Sequence, residues 1–164
     1  MKNLLIILMF VGFACAAQDT PHKNEDIRLR INYAITKNMD ADLLFKTPKD
    51  FAYFFSVSLS FDDSGKIDTV YFSKNLSKDL ASTFKLNDNL IKRIKTLNLI
   101  YKTYSSNLVI LPFYYYRSVD EGVNYKSGLL NNIENLLPRD NNAISKKNWL
   151  ILDPMINPFN KIVD

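Results

Sequence analysis

Hydrophobic and polar residues alternate at two different periods along this chain, and the periods predict which segments are strands and which are helices. In the segment FSVSLSF, residues 55–61, every second residue is large and apolar and the residues between are serines. A period of two is typical of a β-strand with one buried face. The next five residues, DDSGK, have the composition of a turn, in which Gly65 supplies the positive φ of a bulged hairpin loop. Residues 67–73 are again β-branched and aromatic, so we predict a β-hairpin over residues 54–73.

Apolar residues at helical spacing predict two helices that flank this hairpin. The first opens at Asn24, whose side chain can cap the free N–H groups of the first turn, and it ends near Asn38. The second is capped by Asn87, and its apolar stripe continues to Tyr101. The polar stretch over residues 75–85 is predicted to be a loop.

A third β-prone run, NLVILPFYYY over residues 107–116, contains a proline. Because Pro112 cannot donate a ladder hydrogen bond, the run is predicted to lie at a sheet edge or to carry a bulge there. Further along, residues 129–137 have helical spacing and are predicted to form a C-terminal helix. A short apolar strand is predicted over residues 149–152, with Pro154 and Pro158 ending regular structure.

Together these elements predict one α+β domain over residues 18–164. Its core is a small antiparallel sheet, formed by the hairpin and the strand over residues 107–116 and packed by helices. The order is α-β-β-α-β, followed by the C-terminal helix and the short strand. We find no internal repeat or proline-rich linker that divides this stretch.

The first seventeen residues have the pattern of a secretory signal peptide. Lys2 precedes an apolar run, small residues follow, and the chain turns polar at Gln18. The run is shorter than the roughly 20 residues that cross a bilayer. The short leader and the composition are typical of a bacterial protein, so the sequence predicts export to the periplasm or to the outer membrane.

The single cysteine, Cys15, lies inside this leader and has two interpretations. Cleavage after Ala17 removes it and leaves a chain without a thiol, whose fold depends on no disulfide. Alternatively, residues 12–15 act as a degenerate lipobox and Cys15 is lipidated, which anchors the protein to a membrane. We expect membrane contact only in the second case.

Charge and titratable residues indicate no catalytic centre. The 21 Lys and Arg residues are interspersed with 17 Asp and Glu residues, for a net charge of +4, which does not indicate nucleic-acid binding. His22 is the only histidine and precedes the first helix, so no metal site or cofactor is predicted. Asp62 and Asp63 are adjacent turn residues whose expected role is to bond their own backbone, and Asp120 lies in a similar turn. We therefore predict that the protein is not an enzyme.

The aromatic residues that end the third strand are the candidate binding surface. On a strand, Phe113 and Tyr115 face one side and Tyr114 and Tyr116 face the other, so one pair is core. The other pair is either an exposed aromatic ridge beside Arg117 or is covered by the C-terminal elements.

Residues 24–116 resemble the C-terminal domain of TonB-type energy transducers, especially the short secreted versions of Bacteroidetes. The stretches that carry the resemblance are the hairpin FSVSLSFDDSGKIDTVYFS, the helix LNDNLIKRIKTLNL and the strand LVILPFYYY. This chain has a cleavable leader where a transducer has a membrane-spanning helix and a long proline-rich spacer. It also has Phe51–Phe54 where the family often places a glycine. The resemblance therefore implies a fold and a mode of binding, and it does not imply energy transduction.

These observations predict a non-enzymatic exported protein that binds another envelope protein through a sheet edge or the aromatic strand. Two alternatives remain open. One is a lipid-anchored structural protein of the outer membrane, which depends on Cys15. The other is a hydrolase of cell-wall or carbohydrate substrates, which needs two carboxylates such as those of Asp62 and Asp120 about 5–10 Å apart.

Overall fold

A computed structural model describes residues 26–119, 136–138 and 146–160 of the chain. These residues form an α+β fold, as predicted, in which helices pack on a small sheet. The helices are α1 (Ile27–Asn38), α2 (Ala41–Phe45), α3 (Lys78–Thr83) and α4 (Asp88–Lys95), with a short 3-10 helix over Lys102–Tyr104. The strands are β1 (Ala52–Phe61), β2 (Ile67–Phe72), β3 (Asn107–Arg117), β4 (Asn148–Ile151) and β5 (Met155–Phe159).

The sheet is mixed, with strand order β2-β1-β3-β4, and β5 pairs with β3 beyond the end of β4. Strand β1 is antiparallel to both β2 and β3, which confirms the predicted hairpin and its third strand. Strands β4 and β5 run parallel to β3 on its other side. The long β3 is therefore an interior strand, and the outer strands of the described sheet are β2 on one side and β4 with β5 on the other.

The hairpin turn closes against the chain that precedes β3. Gly65 has a φ of 81°, in the region that favours glycine. A Cβ at this position would lie 2.8 Å from backbone atoms of Tyr101 and Lys102. The Gly65 carbonyl also accepts a 2.7 Å hydrogen bond from the Tyr101 N–H. The glycine predicted for the turn is thus also required by a close approach of backbone.

The helix boundaries confirm some of the predicted caps and correct others. The Asn87 side chain caps α4 by accepting from the N–H groups of Asn89 and Leu90, as predicted. The cap of α1 is Asp26, which accepts from the Arg28 N–H at 2.9 Å, so the predicted cap at Asn24 is wrong.

Two further predictions between the hairpin and β3 are wrong. Helix α4 ends at Lys95 and does not reach Tyr101, and the backbone takes a φ of 49° at Asn98. Part of the predicted loop over residues 75–85 is helix α3, whose first turn is capped by the Ser77 hydroxyl. A serine cap followed by few apolar residues gives too weak a helical period to be recognised in sequence.

The main core lies between one face of the sheet and the helices. Phe84 is at its centre, with ring centroids 5.3 Å from Tyr53, 4.8 Å from Phe55 and 4.6 Å from Tyr115. Helix α1 packs on α4, and α4 packs on β2. The fully buried side chains of this core include Ile27, Ile31, Ile35, Leu44, Phe55, Leu59, Phe61, Phe84, Leu90, Ile94 and Phe113.

The serine face of β1 is also buried, contrary to the prediction that only one face would be. Ser56 and Ser58 are 0 % exposed and Ser60 is 3 % exposed. The Ser56 hydroxyl donates a hydrogen bond to the carbonyl of Leu136, so a distant segment of the chain lies on this face. That contact accounts for the burial of Ser56.

Pro112 is accommodated inside the sheet, so the prediction of an edge strand or a bulge at this point is wrong. Its partner on β1 is Ser56, whose carbonyl accepts from the Ser73 N–H and whose N–H donates to the Ser73 hydroxyl. Since Ser56 directs its backbone groups toward β2, the nitrogen of Pro112 faces away from β1. On that side β4 has ended at Ile151 and β5 begins at Met155, so no ladder hydrogen bond is lost.

The C-terminal predictions have mixed outcomes. The short apolar strand is confirmed as β4. Pro158 does not end regular structure, because it lies within β5. The predicted helix over residues 129–137 and the turn at Asp120 lie almost entirely outside the described residues. The signal peptide, Cys15 and His22 are outside them as well.

Candidate functional site

The aromatic end of β3 divides its side chains between the two faces of the sheet, as the period of two predicts. Phe113 and Tyr115 are 0 % and 3 % exposed and belong to the main core. Tyr114 and Tyr116 point to the opposite face and are half-buried. The second pair is therefore neither a fully exposed ridge nor fully covered.

Tyr114, Tyr116 and Phe54 form one group of rings on this opposite face, which we call the aromatic cluster. The Tyr114 and Tyr116 rings are stacked, with centroids 5.4 Å apart and planes at 27°. Phe54 lies opposite Tyr114 in the β1–β3 ladder and meets its ring edge-on at 6.2 Å. Edge-on and offset ring pairs of this kind contribute about 0.5–1.5 kcal/mol beyond the area they bury.

Exposed aliphatic side chains extend the aromatic cluster across the sheet. In the β3–β5 ladder, Ile156 lies opposite Tyr114 and is 60 % exposed. In the β3–β4 ladder, Ile151 lies opposite Ile110 and is 64 % exposed. Ile156 therefore lies directly beside the aromatic cluster, whereas Ile151 neighbours Ile110, which is only 1 % exposed.

Arg117, the third candidate residue, is separated from the two tyrosines. It follows Tyr116 on the strand, so it faces the same side as Phe113 and Tyr115. It lies opposite Phe159, which packs against the main core. The sequence placed Arg117 beside the ridge by proximity along the chain, whereas the pleat puts its side chain on the other face.

A chain of polar side chains inside the fold was not recognised in the sequence. The Tyr115 hydroxyl donates to Oδ1 of Asn32 at 3.0 Å, and Nδ2 of Asn32 donates to Oδ1 of Asn157 at 3.0 Å. Burial raises the pKa of Tyr115 to about 12. This chain joins β3, α1 and β5, and its members are too far apart in sequence for any local pattern to reveal it.

Asp62 bonds the local backbone, as predicted, whereas Asp63 bonds a side chain from a distant part of the chain. Oδ1 of Asp62 accepts from the Ser64 N–H at 2.8 Å, the Ser64 hydroxyl at 2.7 Å and the Lys66 N–H at 3.0 Å. The bond from the Ser64 hydroxyl is the main cause that lowers the pKa of Asp62. Asp63 accepts from the hydroxyl of Ser106 at 2.5 Å. Asp120, the other carboxylate of the hydrolase alternative, is outside the described residues.

A shallow groove of about 370 Å³ runs beside the outer edge of β2. It is lined mainly by the strand and the residues that follow it, Val70 to Leu76, and Ile91 of α4 contributes to its wall. No group of three or more His, Cys, Asp or Glu side chains that could hold a metal ion occurs among the residues described.

Comparison with known protein families, with curated proteins and with solved structures found no match. Within the part of the chain that the structure describes, no helix combines the length and the apolar character that crossing a membrane requires.

Proposed function

We propose that this chain is an exported, non-enzymatic protein of the bacterial envelope that binds another envelope protein. The observation that carries the proposal is the aromatic cluster, with exposed Ile156 beside it. The signal-peptide pattern of residues 1–17 and the resemblance of residues 24–116 to TonB C-terminal domains support it. No catalytic role is part of the proposal.

The chemistry of the cluster suits contact with a protein surface. Tyrosine side chains combine a large apolar area with a polar hydroxyl and have few rotatable bonds, so little conformational entropy is lost on binding. Stacking between Tyr114 and Tyr116, and the contact with Phe54, further restrict the rings before a partner arrives. Preorganised aromatic side chains of this kind are frequent hot spots of protein interfaces.

The interior position of β3 determines how a partner would use it. Strand β3 is paired with β1 along one side and with β4 and β5 along the other. A partner strand therefore has no free main-chain edge at β3. We propose that the partner contacts the face of the sheet through side chains, and that Tyr114 and Tyr116 supply most of the affinity.

Site-specific crosslinking tests the proposal. A photoreactive phenylalanine analogue is placed at position 114 in the full chain, expressed in cells and irradiated in intact envelopes. The matched control carries it at position 33, where Tyr33 is 61 % exposed on α1. We expect one predominant crosslinked partner from position 114, identified by mass spectrometry, and none of that partner from position 33.

Affinity for the purified partner then provides the quantitative test. We expect Tyr114→Ser/Tyr116→Ser to raise Kd at least about tenfold, which corresponds to about 1.4 kcal/mol, while Tyr33→Ser leaves it unchanged. Circular dichroism of the double variant checks that the fold is retained. No specific crosslink from position 114, or an unchanged Kd for the folded double variant, would refute the proposal.

The anchored form is distinguished by the mature N-terminus. The sequence of residues 12–15 favours it only in part, because Gly12 and Phe13 are unusual in a lipobox. Mass spectrometry of the exported protein decides the question. A chain that begins at Gln18 excludes the lipid anchor, and an acylated Cys15 requires it.

A further inference from the structure

Helix α1 exposes two large side chains on the side that faces away from the core. Its buried side chains are Ile27, Ile31, Ala34 and Ile35. Leu29 and Tyr33 lie about one turn apart on the opposite side and are 53 % and 61 % exposed. The outer side of a surface helix normally carries polar residues. Leu29 and Tyr33 are therefore apolar surface that the packing of the fold does not require.

Helices α1 and α4 lie side by side on the core face of the sheet and pack against each other. Asn32 of α1 bonds to Asn157 of β5, and Ile91 of α4 lines the groove beside β2. Helix α1 therefore covers the β5 side of the sheet and α4 the β2 side. Their outer sides form one surface, which we call the helix face. Its exposed residues are Leu29, Tyr33, Lys37, Lys92, Arg93 and Lys95.

The helix face carries an excess of positive charge. Residues 27–38 contain no Asp or Glu, and α4 contains only Asp88, which lies in its first turn. None of the four cations of the helix face is in an ion pair with another described residue. Set against Asp88, they leave a net charge of +3 (4 − 1). The Lys37 ammonium lies 5.6 Å from the centre of the Tyr33 ring, so the charged and the apolar parts of the surface are adjacent.

The carboxylates at the two ends of α1 do not neutralise this charge. Asp26 pairs with Arg28 at 2.6 Å, and Asp40 pairs with Lys85 at 3.6 Å. Each of these acids therefore has a cation of its own that is not part of the helix face. The positive charge of the helix face is left to attract an anionic partner.

We propose that the helix face binds the surface of a bilayer that contains anionic phospholipids. Basic side chains are attracted to such a surface, and the cations of the helix face are placed to contact lipid phosphates. Leu29 and Tyr33 enter the headgroup region, where tyrosine is favoured because its ring is apolar and its hydroxyl is polar. A soluble polyanion would match the cations equally well but would leave these two side chains in water. The combination of charge and exposed apolar area therefore favours a bilayer.

This contact goes beyond the proposed function and is compatible with it. The signal-peptide pattern of residues 1–17 predicts delivery to the envelope, where bilayer surfaces are present. The aromatic cluster lies on the opposite face of the sheet, so a chain bound through α1 and α4 directs Tyr114 and Tyr116 away from the membrane. The contact also needs no lipid on Cys15, and it thus departs from the expectation that only a lipidated chain meets a membrane.

Vesicle sedimentation tests the charged part of the surface. A chain that begins at Gln18 and carries no lipid is mixed with vesicles of phosphatidylcholine and phosphatidylglycerol. We expect binding that weakens as salt is added, and no binding to phosphatidylcholine alone. Lys92→Ala and Lys95→Ala should each lower the partition coefficient about fivefold. The matched control Lys46→Ala, at an exposed lysine that follows α2, should leave it unchanged.

The apolar pair distinguishes a bilayer from a soluble polyanion. Leu29→Ser/Tyr33→Ser should lower the partition coefficient at least about tenfold, because two side chains no longer enter the headgroup region. Circular dichroism checks that this double variant, altered only at exposed positions, keeps its fold. If the folded variant binds vesicles as well as the unaltered chain does, the cations alone make the contact and the proposal is overturned.

A fluorophore shows which side of the protein meets the bilayer. The chain from Gln18 has no cysteine, so Tyr33→Cys and Ile156→Cys each provide one labelling site, at residues that are 61 % and 60 % exposed. An environment-sensitive dye should shift to the blue on anionic vesicles at position 33 and remain as in water at position 156. Absence of binding, or a shift at position 156 and none at position 33, overturns the proposal. Neither outcome bears on crosslinking from position 114, so the two proposals fail independently.

Discussion

Removing the hydroxyl of Tyr115 should weaken the fold at neutral pH and protect it from alkali. The Tyr115 hydroxyl donates to Asn32 at 3.0 Å inside the protein. In Tyr115→Phe the Oδ1 atom of Asn32 loses this donor while it remains half-buried. Leaving such an acceptor without its partner costs about 1–2 kcal/mol of the free energy of unfolding.

As the pH rises, ionisation of the Tyr115 hydroxyl lowers the free energy of unfolding of the unaltered chain. Burial raises the pKa of Tyr115 to about 12, from 10.0 for the free phenol. The folded chain therefore holds this proton more tightly than the unfolded chain does. The stabilisation is complete below pH 10 and is lost as the pH rises through about 12. At about 1.36 kcal/mol for each pKa unit, the total loss is about 2.7 kcal/mol, of which about half has occurred at pH 11.

Urea unfolding of both proteins from pH 8 to pH 11 measures the difference. We expect Tyr115→Phe to be less stable by about 1–2 kcal/mol at pH 8 and nearly equal to the unaltered chain at pH 11. Tyr33→Phe is the control, because Tyr33 is exposed and its variant should follow the unaltered chain throughout. A stability difference between Tyr115→Phe and the unaltered chain that stays constant with pH would refute the reasoning.

Three further substitutions test local features of the fold, each by urea unfolding at neutral pH. Asn87→Ala removes the cap of α4 and should lower the free energy of unfolding by about 1 kcal/mol. Asn89→Ala, two residues further along in the first turn of α4, should lower it by less. Gly65→Ala forces a Cβ to within 2.8 Å of the Tyr101 backbone at a positive φ, so it should cost more than about 1 kcal/mol; a neutral result contradicts the close approach. The Ser58 hydroxyl is buried and has no hydrogen-bond partner within the described structure, so Ser58→Ala should raise stability by about 1 kcal/mol, while Ser56→Ala, which loses the bond to Leu136, should lower it.

Local patterns were sufficient to predict the hairpin, its turn, the Asn87 cap and the faces on which Phe113 to Tyr116 lie. Each of these depends on neighbours within a few residues. The buried serines of β1 show where such reasoning fails. An alternating serine and apolar pattern normally indicates a solvated face, but here Leu136, 80 residues away from Ser56, contacts that face. Nothing within the strand encodes that contact.

Pro112 shows the same limit in another form. Proline has no backbone N–H donor, and the prediction of an edge strand or a bulge assumed that every residue of an interior strand must donate a ladder hydrogen bond. The assumption fails because β3 is flanked on one side by two short strands with a gap between them. The sequence likewise predicted only part of the candidate site. The faces of Tyr114 and Tyr116 followed from the period of two, and the same period would have placed Arg117 on the other face. The half-burial of the two tyrosines depends on the neighbouring strands and could not be read from the sequence.

The side of β3 that pairs with β4 and β5 also determines where this protein is prone to aggregate. Within the described structure, one side of the eleven-residue strand β3 is paired with β4 and β5 along most of its length. Proteolytic loss of residues 148–159 would expose that side as a ready template for cross-β growth, since Val109, Leu111 and Phe113 are strongly β-prone. Protein that has lost these residues should therefore form fibrils that bind thioflavin. Purified protein has to retain β4 and β5 to stay unaggregated.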